Sequence, residues 1–361
     1  MCFCSALFLV DLMDITVAYF HPLLHPEAIK HDFEQIRATG AGSIVYAVHE
    51  QEAQRWPRDL ERGLRQAQDA GLKVYLTFSH YGNLFAGPSL MPSWYTFHHP
   101  KSRVKDRHGR YHDISCFNHE SFRSWLFKEI EYYLRTYPIN GILIDEPRGP
   151  DITCFCSVCR ALCPDVADLQ RFRRRSMIDF LGELCACVKR VDAHAKTMIA
   201  LLPQDLGQVD ELAALPHLDT VGGHLFWQLL HEDVDIIEKW GQLLVDATRQ
   251  HGKRSQLWLQ NFNLNEDSEQ YLEGAFAQLL HVEPDEVGAY YYWRNNENPA
   301  RVWQTTRTLL RRIPRRQLYW QAGGANSKGV RHPTAEAGGM ELGHPVWETG
   351  IISDRLLHAQ A

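Results

Sequence analysis

Residues 141–163 read GILIDEPRGPDITCFCSVCRALC, a segment that begins as a buried strand and ends as a cluster of thiols. Gly141 to Ile144 form a continuous apolar run of the kind found in strands covered on both faces. The run stops at two adjacent carboxylates, Asp145 and Glu146, followed by Pro147 and Arg148. A strand that stops at acids displays them. Eight residues after Glu146 begins a C-x-C-x-x-C pattern, Cys154, Cys156 and Cys159, with Cys163 four residues further on.

Working outward from this strand, other short apolar or β-rich runs fall at 15–20, 43–48, 73–78, 197–202, 220–226, 256–262 and 287–293. With 141–144 they make eight. Stretches with helical spacing separate most of them, at 25–39, 59–70, 121–136, 170–193, 233–251 and 268–281. Strand and helix repeated eight times in one chain predict an α/β fold, a single (β/α)8 TIM barrel. The predicted organisation is an N-terminal extension over 1–14, a barrel catalytic domain over 15–316, and a flexible Gly-rich tail over 317–361. A long insertion, residues 82–118, follows the third strand and carries Trp94, Tyr95, Phe97 and Cys116.

Composition agrees with a soluble globular enzyme: 23% of the 361 residues are charged and 45% hydrophobic. The net charge of -6 gives no electrostatic reason to expect nucleic acid as a partner. No apolar run reaches the ~20 residues needed to span a bilayer, so no membrane partner is expected. The opening MCFCSALFLV has no basic residue before its apolar part, unlike a secretory signal. Nine cysteines, mostly in tight clusters, fit a cytoplasmic setting better than a disulfide framework.

Barrel enzymes build their sites from the C-terminal ends of the strands. Those ends carry His49, Glu50, His80, Asp145, Glu146, Asp205, His224, Gln260, Asn261 and Glu297. The cysteine cluster has a separate logic. Three close thiolates bind a borderline-soft ion, and a structural tetrahedral zinc needs a fourth ligand, for which spacing offers either Cys163 or Cys116.

A C-x-C-x-x-C after the fourth strand, with a further Cys in the preceding insertion, resembles the zinc-bearing pattern of the β-galactosidases of glycoside hydrolase family 42. The resemblance implies Zn2+ as a structural cofactor held by Cys116, Cys154, Cys156 and Cys159, stapling the insertion to the loop after strand four. It implies Glu146 at the acid/base position, with Asp145 where that family has Asn, and it suggests a homo-oligomer. The chain departs from the family at strand seven, where Gln260-Asn261 replace the expected nucleophilic Glu. Its segments 141–148, 221–227 and 290–299 look more like a glycosidase-like relative than a true member.

Read as chemistry, glycoside hydrolysis needs two carboxyl groups. Glu146 is the expected general acid/base, Asp145 the residue that polarises a sugar hydroxyl or tunes Glu146, and Asp205 and Glu297 are candidates for the second carboxylate, with Glu50 also at a strand end. Strand alternation implies that only one of Asp145 and Glu146 faces the mouth. Aromatic faces stack on pyranose rings while polar side chains take the hydroxyls. Trp94, Trp227, Tyr292 and Trp293 are the stacking candidates; His49, His80, Arg148, His224, Asn261 and Arg294 are the polar ones. A carbohydrate substrate is therefore expected. Two other readings compete: a metal-dependent hydrolase using His49, His80 and His224, and a sugar-binding barrel without hydrolysis, suggested by Gln260 and Asn261.

Overall fold

The computed structural model describes residues 13–20, 25–87, 93–147, 153–292 and 295–313. Its ten strands are β1 (Asp14–Tyr19), β2 (Ser43–His49), β3 (Lys73–Ser79), β4 (Arg103–Lys105), β5 (Tyr111–Ser115), β6 (Gly141–Asp145), β7 (Lys196–Leu201), β8 (Thr220–His224), β9 (Arg254–Gln260) and β10 (Glu286–Tyr290). Eight of them close into a barrel in the order β1-β10-β9-β8-β7-β6-β3-β2, all pairs parallel. This is the (β/α)8 barrel expected from the sequence, and the strand that stops at the two acids is β6.

The apolar runs form strands buried on both faces because two separate cores need them. Val17, Ile44, Leu76, Ile142, Ile199 and Val221 face outward and pack under the helices. Ala18, Val45, Leu143, Met198, Ala200 and Trp258 face inward and fill the barrel. That division is the period-2 alternation of a strand placed between two apolar layers. Helices begin where the chain supplies local stops: Pro26, Pro57 and Pro299 each open a helix, where a missing N–H costs nothing. The helix Pro299–Leu310 completes the eighth unit.

Gly141 opens β6 at φ +154, pressed against the backbone of Lys196 on β7, and a Cβ there would collide with that backbone. Only glycine permits the β6–β7 register from Gly141↔Lys196 to Asp145↔Ala200. The register fixes where the acids end up.

The described part of the insertion after β3 has a structure of its own. Antiparallel β4 and β5 form a hairpin, preceded by the short helix Trp94–His98. Its start is held by Glu50, whose carboxylate accepts from Gly82 N (2.8 Å), Ser93 Oγ (2.6 Å) and Tyr95 N (2.8 Å). Burial pushes the Glu50 carboxyl up, and these donors draw it back. Sequence reading treated 82–118 as one loop and did not find the hairpin, because a three-residue strand carries no periodic signal.

Strand bounds shift by one or two residues from expectation, and the eighth ends at Tyr290 instead of 293. Arg148, Trp293 and Arg294, residues 1–12 of the expected extension and the tail at 317–361 lie outside the described residues. Among the described residues, no helix is long and apolar enough to cross a membrane.

Candidate active site and thiol cluster

At the C-terminal mouth of the barrel three side chains from two neighbouring regions meet. Asp145 is the last residue of β6, Glu146 follows it, and His224 ends β8. His224 Nδ1 lies 2.6 Å from Glu146 Oε1, and Nε2 lies 3.5 Å from Asp145 Oδ1. The hydroxyl of Tyr290, at the end of β10, donates to Asp145 Oδ2 at 3.0 Å. A chain of polar groups thus runs Tyr290, Asp145, His224, Glu146 across the mouth. Strand alternation alone would point Asp145 and Glu146 apart. Glu146 instead takes φ +42, a left-handed conformation costly for a non-glycine residue, and this turns its carboxylate back toward the same imidazole.

The two acids differ in access. Asp145 is fully buried and Glu146 keeps 14% of its side chain exposed. Glu146 lines a cavity of about 160 Å³ with Phe20, Gly87, Phe226, Phe262, Tyr290 and Tyr291. Ala86 and Leu229 complete its wall. Among the described residues lining it, Glu146 is the one carboxylate. Burial, and then the charges of Asp145 and Glu146, push the Tyr290 hydroxyl well above its ordinary range, so it is a donor here and not a phenolate.

The other expected site residues go to different places. His49 and His80 are buried at the ends of β2 and β3, and His80 borders Gly87 of the cavity wall. Asn261 is buried beside β10, its N–H donating to Tyr290 O. Trp227 is 3% exposed and packs in the outer core, which leaves no ring face for a ligand. Tyr292 also points outward, donating to Asp32 at 2.8 Å. Trp94 is exposed on the insertion. Asp205 lines a small apolar gap with Pro147, Met177 and Leu212 and does not line the Glu146 cavity. Glu297 accepts from Glu266 N at 2.9 Å and lines a neighbouring open cavity.

Glu50 directs its carboxylate at the donors of the insertion and does not line the Glu146 cavity. Gln260, at the strand-seven position, is fully buried; its Oε1 accepts from Gln228 N (3.1 Å) and its Nε2 donates to Phe262 O (3.1 Å). The imidazole of His224 presents opposite nitrogens to the two carboxylates. That is the geometry of a hydrogen-bonded relay, and the same three side chains offer ligand atoms within 4.8 Å of one another, close enough to hold a metal ion.

The thiols form a second centre. Cys116, just after β5, and Cys154, Cys156 and Cys159 are all buried, with their Sγ atoms within 4.8 Å of one another. Cys116 lies 3.5 Å from Cys159 and 3.9 Å from Cys156. Cys163 stands apart, partly exposed and directed at Asp165 O. Of the two fourth members that spacing allowed, Cys116 is the one in the cluster. Sequence reading missed the surrounding donors: Asn118 Nδ2 is 3.4 Å from Cys159 Sγ, and buried Arg173 directs its guanidinium at Cys116 Sγ at 3.8 Å. A buried cation is costly unless negative charge faces it, which thiolates supply. The hydrogen bonds from Cys116 and Cys154 hold the Cys156 thiol far below its usual range. Four such sulfurs can bind a metal ion.

No family model and no curated protein matches the sequence. Several solved structures share the fold. A β-galactosidase from Marinomonas ef1 superposes with a TM-score of 0.62 at 12% identity, over 82% of this chain and 59% of that one. A β-galactosidase from Halorubrum lacusprofundi gives 0.63 at 13%, over 82% and 57%. An α-L-fucosidase from Paenibacillus thiaminolyticus gives 0.57 at 14%, over 83% and 48%. The chain thus spans less than three-fifths of the length of these enzymes. At such identities the likeness is one of fold.

Proposed function

We propose that this chain is a glycoside hydrolase acting on an oligosaccharide or glycoside, with Glu146 as its general acid/base. The observation that carries the reading is the placement of Glu146: a partly exposed carboxyl, in a left-handed turn at a barrel strand end, bordering an aromatic-walled cavity. Glu146 gives its proton to the glycosidic oxygen as the bond breaks. His224 holds Glu146 Oε1, which leaves the other oxygen for the substrate. Asp145, with no exposed surface, touches no substrate and positions His224. Tyr291, partly exposed, offers its ring to the sugar, with buried Phe20, Phe226 and Phe262 as the apolar wall behind it.

The four thiols suit a structural zinc ion. Zinc–sulfur bonds of ~2.3 Å in a tetrahedron put sulfurs ~3.8 Å apart, close to the 3.5 and 3.9 Å separations here. Cys116, Cys154, Cys156 and Cys159 would hold it, and the ion would supply cross-linking, not chemistry. Clustered reduced thiols agree with a cytoplasmic setting.

A panel of aryl glycosides and oligosaccharides tests the function. Glu146→Gln is expected to lower kcat about 10²–10⁴-fold on substrates with poor leaving groups and far less on activated ones. An equal loss on both refutes the acid role. Among the described residues the lining holds no second carboxylate, which favours one alternative, a sugar-binding barrel without turnover. Calorimetric sugar binding by wild type that hydrolyses nothing in the panel would establish that alternative.

A further inference from the structure

Beside the Glu146 cavity lies a larger open one, about 540 Å³, lined by Gln228, Asn263, Leu264, Asn265, Asn295, Asn296 and Glu297. The two share a partition. Phe226, Leu229 and Phe262 face Glu146, while Gln228 and Asn263, their neighbours in sequence, face the other side. Gln260 builds this partition: its Oε1 accepts from Gln228 N and Leu229 N, and its Nε2 donates to Phe262 O. The residue standing where a nucleophile is expected is thus committed to holding the wall between two cavities.

Part of the amide lining is spent on its own loops. Asn296 donates to Asn261 O and accepts from Leu264 N, and Asn265 caps the helix Glu266–Glu269. Asn295 Nδ2 donates to Asn263 Oδ1 at 3.1 Å. What is left over is informative. Among the described residues, no hydrogen bond uses the Gln228 side-chain amide, Asn263 Nδ2, Asn295 Oδ1 or Glu297 Oε1. Together they offer both donors and acceptors, the complement of sugar hydroxyls, which both give and take. Among the described residues of the lining, the only formal charge is the negative Glu297, which disfavours an anionic ligand.

We propose that this cavity is a second subsite for a neutral hexopyranose unit. The substrate is then an uncharged oligosaccharide lying across the Leu229–Phe262 partition, one unit at Glu146 and the next among Gln228, Asn263, Asn295 and Glu297. The proposal rests on the glycosidase reading and gives that reading a substrate class. It also makes Glu297 a hydroxyl acceptor.

The test titrates the full chain carrying Glu146→Gln by calorimetry with neutral gluco- and galacto-oligosaccharides of one to four units, and with oligogalacturonides. Two new neutral hydrogen bonds, roughly three- to tenfold each, predict a gain in affinity of roughly nine- to a hundredfold from one unit to two for a neutral series that binds. Adding Gln228→Ala or Asn295→Gly should each remove most of that gain. Glycine is chosen at 295 because φ is +48, which alanine would strain. A gain that survives both substitutions, or no gain in a series whose monosaccharide binds, overturns the second subsite while leaving the glycosidase reading intact. Oligogalacturonides that bind as tightly as neutral oligomers overturn its neutrality. If no sugar of any length binds, the glycosidase reading itself fails and the subsite with it.

Discussion

Replacing His224 by phenylalanine isolates the relay. The imidazole is stacked on Phe226 (4.7 Å between centroids), meets Tyr290 at 4.7 Å and Trp258 edge-on at 5.6 Å, so a phenyl ring fits the same space. What is lost is polar. One hydrogen bond of 2.6 Å to a carboxylate contributes about 1.5–3 kcal/mol. Without the ring nitrogens, carboxylate oxygens within 4.8 Å of each other face one another directly. Two unit charges at that separation repel by about 3.5 kcal/mol, from 332/(20 × 4.8) with an effective dielectric of ~20. These effects overlap, because both follow from removing the one imidazole. We therefore expect a loss of about 3–5 kcal/mol, the usual size for taking one partner out of a buried network of charged groups. The assay is urea unfolding of wild type and His224→Phe at pH 7. A deficit below about 1 kcal/mol refutes the account of Asp145 and Glu146 sharing His224.

Two further outcomes concern stability. Purified protein is expected to carry about one zinc per chain, lost in Cys159→Ala, with chelation lowering Tm by several degrees while the remaining folded protein keeps its turnover. Metal content that does not follow the cysteines, or turnover lost with the fold intact, removes the structural assignment. Glu286, buried at the start of β10 against Gln256, has its carboxyl pushed by burial from 4.5 up to about 7. The folded state then binds the proton more tightly than the unfolded one, so this group's contribution is full below about pH 4.5 and falls as pH rises to about 7. At 1.36 kcal/mol per pH unit the swing is roughly 3 kcal/mol. Glu286→Gln should flatten the stability profile over that window; an unaltered slope in urea titrations would contradict it.

How much of this could be read in the sequence depends on the range of the signal. Gly141 to Ile144 announced a doubly covered strand because an apolar run is local, and the same held for its seven counterparts. The acids after it were legible as strand-end residues. Their meeting on His224 was not, since it needs the closure of the barrel to bring β8 near β6 and a left-handed turn at Glu146 that no propensity predicts. Trp227 shows the opposite failure: its position one turn beyond β8 suggested a sugar platform, yet packing rotated it into the outer core. The C-x-C-x-x-C spacing identified three thiols, but Cys116 is set apart from them by the helix Glu120–Thr136 and β6, and Arg173 lies beyond the short helix Ser157–Leu162. Pairings over such distances follow from the fold and leave no mark in spacing.

The insertion after β3 is tied at both ends, by Glu50 at Ser93 and Tyr95 and by Cys116 in the thiol cluster. Its tip, between β4 and β5, is an exposed turn closed by Asp106, which accepts from the amides of His108 and Arg110. Because the ties lie at the base, the entropy of closing this loop is settled there and depends little on the length of the tip. The turn at 106–110 is accordingly a place where a peptide or a small domain could be displayed on the barrel, at a cost that grows only with the logarithm of the added length and without disturbing Glu146.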